Sequence, residues 1–333
     1  MVRDITTNLS GYDKFYRPSL FALLDGLTQA QATRGQVTVM DINNASIFSA
    51  SLDESQGKPG EFVLCTSRVV NVDSIGIETE EGRPYVEAYS TGMLPVRLVM
   101  PMVSYIAFAD CGYEPDDLLE WDGGSSSLKD AFVNGKFDSL SSAIMQLCPN
   151  GIEDLVSFVQ NIGLVLLYPN QIPCEPEEVA RYMPSDYKEL MNDYIPHYLV
   201  LDFISQVARG DGIVKEFPND DEEPGKLIVD SESVQMLNDI LKRCGTEGIA
   251  KAAACDGNDV AGYTYVTTQD ENRDRQICFL GYFPTDKPKY SVLIWMQRRE
   301  QLQDVVCDDW PELGEYAACV CKRIADYLIN NET

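Results

Sequence analysis

Apolar residues first recur at helical spacing in residues 20–32, where Leu20, Leu23, Leu24 and Leu27 share one face. This predicts a lead-in helix within residues 1–34. From Gly35 the period shortens: Gln36-Val37-Thr38-Val39-Met40-Asp41 and residues 47–52 form two β-rich runs on either side of the turn-prone Asn43-Asn44, so a strand pair is expected. Between about 95 and 210 the helical period returns, in segments 99–108, 139–148, 152–162, 175–182 and 198–207, joined by Gly, Pro and Asp clusters.

Beyond residue 231 a helix over 234–244 leads into β-like runs at 260–267, 275–283 and 290–297, and a last helix covers 313–329. Strands near both chain ends with helices between them predict one sheet assembled from both ends. The expected class is α/β (α+β): a mainly antiparallel sheet of about five strands flanked by helices, plus an all-helical subdomain. The chain divides accordingly into a lead-in at 1–34 and a domain over 35–333, whose α/β part is 35–90 with 231–333 and whose helical lobe is 91–230.

Charge narrows the function classes. The 333 residues carry 53 acidic against 26 basic side chains, a formal net charge of -27, which repels a phosphate backbone. Nucleic acid is excluded as a partner, and an anionic membrane surface cannot hold the chain by electrostatics. The longest apolar candidate, residues 94–109, is interrupted by Pro95, Arg97 and Pro101, so no spanning helix is expected. The first residues, Met1-Val2-Arg3-Asp4, lack the apolar core of a signal peptide; the expectation is a cytoplasmic protein or an export segment upstream.

Ten cysteines without a C-x-x-C pair support neither a zinc ribbon nor a redox motif, and reduced, buried thiols are expected. Cys319 and Cys321 are two apart on an expected helix and face different directions, which argues against a shared metal. The single histidine, His197, follows Pro196 and is expected to be structural; a His-dependent triad has nothing else to draw on. The acidic segment 216–225 lacks the spacing of a calcium loop and is expected to be a solvated turn. No metal and no cofactor are expected.

Five pieces, taken in order, resemble the transpeptidase domain of penicillin-binding proteins. Tyr89-Ser90-Thr91-Gly92-Met93-Leu94-Pro95-Val96-Arg97 sits where that family has its Y-E-P-G-S-T-F-K segment. Residues 138–163 resemble the helix carrying S-x-N and the helix that follows it. Ile195-Pro196-His197-Tyr198 through Ala208-Arg209-Gly210-Asp211-Gly212 resembles the T-P-L-Q helix and its A-N-G-G end. Gly245-Thr246-Glu247-Gly248-Ile249-Ala250 followed by Val260-Ala261-Gly262-Tyr263-Thr264-Tyr265-Val266-Thr267 resembles the stretch that leads into and carries K-T-G, and residues 275–297 the hairpin that closes the domain. The match is collinear over about 35–330.

The resemblance implies a serine acyl-transfer site built from S-x-x-K, S-x-N and K-T-G, and in each motif the reacting or binding group is replaced. Aligned on Gly92, Met93 takes the serine position and Val96 the lysine; aligned on Arg97, Leu94 takes the serine position. Neither register supplies a nucleophile, and a guanidinium cannot act as a base. Ser141-Ser142-Ala143 loses the asparagine. Tyr263-Thr264-Tyr265 loses the lysine that meets a carboxylate and the glycine that leaves backbone bare. The relic cleft is therefore expected to comprise Leu94, Arg97, Ser141, Ser142, Tyr263, Thr264 and Tyr265.

The implied protein is a catalytically inactive relative tied to peptidoglycan synthesis in the cell envelope or periplasm, binding a stem peptide or an envelope protein and meeting a membrane only through a segment outside this chain. The alternative is an active D,D-transpeptidase or carboxypeptidase with displaced residues: Ser126 or Ser142 as nucleophile, with Lys129 as base. Ser185 to Lys188 repeats the S-x-x-K string and reads more simply as a helix cap.

Overall fold

A computed structural model of the chain describes residues 13–43, 46–54, 58–71, 93–95, 100–121, 124–135, 194–210, 230–255, 259–266, 274–299 and 310–330. The chain forms two units: residues 1–75, 133–135 and 241–333, and residues 76–132 and 136–240.

The first unit holds the sheet. Helix α1 (Asp13–Ala30) begins seven residues before the legible periodicity, because Pro18 lies inside it and interrupts the pattern. Leu23 and Leu27 are fully buried, and Gln31, at φ 53°, turns the chain out of the helix and into the sheet. Strands β1 (Arg34–Asp41), β2 (Ser46–Glu54) and β3 (Phe62–Asn71) are followed, far along the chain, by β8 (Ala261–Val266), β9 (Asp274–Phe283) and β10 (Tyr290–Arg299). They form one six-stranded sheet in the order β3-β2-β1-β10-β9-β8, every pairing antiparallel. The expected union of both chain ends is thus present, with β1 paired directly to β10. The sixth strand, β3, is absent from the pattern reading: after Phe62-Val63-Leu64 its residues Thr66, Ser67 and Arg68 break the apolar alternation.

One face of this sheet is apolar from β9 to β2 and ends at β8 on a threonine. Thr264, Phe279, Ile294, Val37 and Ala50 stand in line across β8, β9, β10, β1 and β2. Helix α1 and the last helix, α6 (Trp310–Asn330), cover that face. A Cβ on Gly26 would come within 2.2 Å of Val320, and one on Gly35 within 2.9 Å of Leu27, so both glycines mark places where backbone itself is the packing surface. The exposed side of the helix pair is tied by Asp25 and Arg323.

The opposite face changes character along its width. Tyr263, Leu280 and Leu293 continue into Thr38 and Ser49. Gln36 Nε2 donates to Ser49 Oγ at 2.8 Å, and the Thr38 and Ser49 hydroxyls lie 3.1 Å apart, so the buried polar groups of β1 and β2 are paired.

The second unit contains α2 (Met100–Ala109) and α4 (His197–Arg209), which meet through an edge-to-face pair of Tyr105 and Phe203 with centroids 6.1 Å apart. It is not purely helical, as the sequence suggested. β4 (Met93–Pro95) pairs with β7 (Tyr194–Pro196), and β5 (Leu118–Trp121) pairs with β6 (Gly124–Ser127). The two residues between β5 and β6 are Asp122-Gly123, a dipeptide that favours tight hairpins and overrides the helical surroundings. Between β6 and β7 the described chain continues through the short helix α3 (Leu128–Val133). The expected helices at 139–148, 152–162 and 175–182, and the acidic segment 216–225, lie outside the described residues.

Helix α5 (Ser231–Thr246) opens on a cap. Asp230 Oδ2 accepts from the Ser233 N–H at 2.8 Å and from its hydroxyl at 2.7 Å, while the Asp230 N–H donates to Tyr105 Oη at 2.9 Å. The two bonds from Ser233 hold the Asp230 carboxyl below its ordinary pKa.

Candidate functional site

The residues assigned by resemblance fall into three groups. On β8, the edge strand, all six residues are buried. Tyr263 stands opposite Leu280 and Tyr265 opposite Cys278, so the two rings leave the same face, as their period-2 spacing predicts. Tyr263 is fully buried and Tyr265 is 3% exposed. Burial pushes the Tyr263 phenol well above its ordinary pKa, with further upward contributions from Cys278, Tyr265 and Cys244. Those neighbours place the ring between β9 and the last turn of α5. Cys244 is itself raised to about 12 by burial. The buried Tyr263 ring therefore stands near two buried thiols.

Thr264 leaves the other face. Its hydroxyl donates to the Ile249 carbonyl at 3.3 Å, and it rests on Gly314 of α6, where an added Cβ would lie 2.7 Å from Thr264 Oγ1. Gly245, near the end of α5, lies against the start of the same strand: its Cβ would sit 1.8 Å from the Val260 oxygen. The strand is thus enclosed by Tyr-lined packing on one side and by Ile249 and Gly314 on the other. The sequence placed the three β8 residues in the cleft, gave Ile249 only as part of the segment before them, and did not point to Gly314. A helix glycine close to the end of the chain was the available signal, and only the sheet order shows which strand it faces.

The second group carries the serine and lysine of the displaced-residue alternative. Ser126 belongs to strand β6. It is 8% exposed, and its hydroxyl donates to the Ser127 carbonyl at 3.2 Å. Ser127 Oγ accepts from the Asp130 N–H at 3.1 Å, which caps α3. Lys129 is ion-paired with Asp116, whose side chain is largely exposed. Ser126 and Lys129 thus have different partners and no hydrogen bond to one another.

The third group is the first motif. Met93 and Leu94 lie in β4, where Met93 pairs with Pro196 and Leu94 with Ile195. A strand, rather than a helix start, carries both registers of the serine position. The Met93 and Leu94 side chains, Val96 and Arg97, Ser141, Ser142 and Ala143, and Ser185 and Lys188 lie outside the described residues. His197 begins α4, and its side chain also lies outside them. Cys319 is half-buried and Cys321 fully buried on α6, facing different directions as expected. Among the described residues, no group of three His, Cys, Asp or Glu side chains is arranged to hold a metal ion, and no helix is long and apolar enough to cross a membrane.

No protein-family model matches the sequence, and none of the curated proteins does. Solved structures do. A peptidoglycan glycosyltransferase from Burkholderia ambifaria superposes with a TM-score of 0.62 at 13% identity, over 96% of each chain. The apo transpeptidase domain of penicillin-binding protein 3 from Burkholderia pseudomallei gives 0.63 at 13% identity, covering 96% of this chain and 95% of that one. The transpeptidase domain of a D,D-transpeptidase from Legionella pneumophila gives 0.54 at 16% identity, covering 95% and 97%. The chain therefore has the fold of a penicillin-binding transpeptidase domain across nearly its whole length.

Proposed function

We propose that this chain is a non-catalytic protein built on the penicillin-binding transpeptidase fold, acting by binding in peptidoglycan synthesis at the cell envelope. The observation that carries this reading is the state of β8. Where the resembling family has a lysine, a hydroxyl and a bare backbone, this chain has a buried ring, a hydroxyl committed to Ile249 and a second buried ring. A carboxylate arriving at this strand meets no lysine or arginine on β8 itself, and burial holds the Tyr263 phenol in its neutral form.

The first motif supports the same reading from sequence. Acyl transfer needs a hydroxyl or thiol beside a base, and neither Met93 with Val96 nor Leu94 with Arg97 provides one. The arrangement at Ser126 weighs against the Ser126 form of the displaced-residue alternative: Lys129 is paired with Asp116 and the Ser126 hydroxyl with the Ser127 carbonyl. The function left to the fold is recognition, with a stem peptide or an envelope protein as the proposed partner.

Incubation with a fluorescent penicillin, followed by denaturing electrophoresis, tests this. The expected result is no covalent label at concentrations that saturate an active transpeptidase. Label that survives denaturation and maps to one serine overturns the reading and identifies the nucleophile.

A further inference from the structure

Two buried thiols, Cys255 and Cys321, are neighbours where the chain after α5 reaches α6, and in the structure each is a free cysteine. Cys255 follows a single 3-10 turn (Lys251–Ala253), and its Sγ lies 3.5 Å from each of two carbonyls, Ala253 and Lys322, either of which can accept its one hydrogen. Lys322 directly follows Cys321, so in a helix its carbonyl oxygen lies within roughly 5 Å of the Cys321 Cα. The Cys255 sulfur is therefore seated on the turn of α6 that carries the Cys321 thiol. Burial raises the Cys321 pKa, and Cys255 is the next contributor, which also marks the two thiols as neighbours. Cys319 is the contrast: half-buried, with Glu315 and Lys322 as its charged neighbours.

We propose that Cys255 and Cys321 are a disulfide-forming pair that closes while the chain folds under oxidising conditions, tying α6 to the segment that leads into β8. The oxidant is a reactive disulfide, such as glutathione disulfide or the active-site disulfide of a protein oxidant. One cysteine thiolate attacks it and releases a thiolate; the second then attacks the mixed disulfide and releases the other. In all, two protein thiols give up two protons and two electrons, and the oxidant's disulfide becomes two thiols. Burial protonates Cys321 and hides it in the finished fold, so closure belongs to folding. The bond would hold α6, whose Gly314 seats Thr264, against the approach to the edge strand.

The test is refolding of the denatured, reduced full chain in a glutathione redox buffer, followed by thiol blocking and non-reducing peptide mapping. The expected product is a Cys255–Cys321 linked peptide as the dominant crosslink, with a thermal midpoint that falls by roughly 5 °C or more on reduction. Cys319→Ser should keep both properties, and Cys321→Ser should lose both. A refolded chain whose ten thiols all remain free, or whose crosslinks join other pairs, overturns the proposal.

Discussion

Strand β8 and the β6–α3 turn each present a hydroxyl in a sequence context that invites a chemical role, and the fold treats them differently. On β8, Thr264 sits between two tyrosines, and all three are drawn into packing: the rings toward Cys278 and Cys244, the hydroxyl toward Ile249 and Gly314. At β6, Ser126 and Lys129 keep the groups that a nucleophile and its base would need, yet the backbone takes the hydroxyl and Asp116 takes the amine. On the proposed reading, the first region has the motif position without the family's groups, and the second has the groups without the geometry. The comparison teaches that an S-x-x-K string and a motif position are separate requirements, and that acyl transfer needs both at one place.

If β8 is structural, it should respond to substitution as core. Tyr263→Ala removes a fully buried ring and should cost about 3–5 kcal/mol of unfolding free energy, measured by urea denaturation. A cost near zero would mean that the ring fills an adaptable pocket, which would move β8 to the functional side of the comparison.

The seats of the strand come next. Gly245→Ala should cost about 3 kcal/mol, because the new Cβ meets the Val260 oxygen and backbone must shift. Gly314→Ala should cost about 1–2 kcal/mol by crowding Thr264 Oγ1, and combining it with Thr264→Ala should recover part of that loss. Strict additivity in this double-mutant cycle would show that the two residues do not press on one another.

A smaller effect is expected at the cap of α5. Asp230→Ala should cost about 1 kcal/mol. Because its bonds to Ser233 hold the Asp230 carboxyl below the ordinary range, its stabilisation is complete above the unfolded-state value near 4 and is lost as pH falls through the folded-state value. The stability difference between the native chain and Asp230→Ala should therefore shrink on acidification below about pH 4. A difference that widened there would contradict the capping role.

The smallest effect belongs to the second region of the comparison. Lys129→Ala removes a pair whose acidic partner is largely exposed and should cost no more than about 1 kcal/mol.

Much of the sheet could be read from the chain. The period-2 runs at 36–41, 47–52 and 260–297 become five of the six strands, and the shared face of Tyr263 and Tyr265 follows from their spacing alone. What could not be read is what covers each face. Thr264 points to Ile249 and Gly314 because α6 crosses β8, and a crossing made by tertiary packing leaves only a glycine as its trace. The strand pairs at Met93–Pro95 and Leu118–Trp121 were obscured for another reason: three or four residues give too short a period to stand out between helices.

The central claim is that the altered edge strand, and not only the missing serine, closes this fold to acylation. Intact-mass measurement after exposure to penicillin tests it most directly, on the native chain and on two variants that restore the first motif in either register, Leu94→Ser with Arg97→Lys and Met93→Ser with Val96→Lys. The account predicts an unchanged mass for all three. A stable gain of one penicilloyl group on either variant would contradict it and place the loss of chemistry in the nucleophile alone.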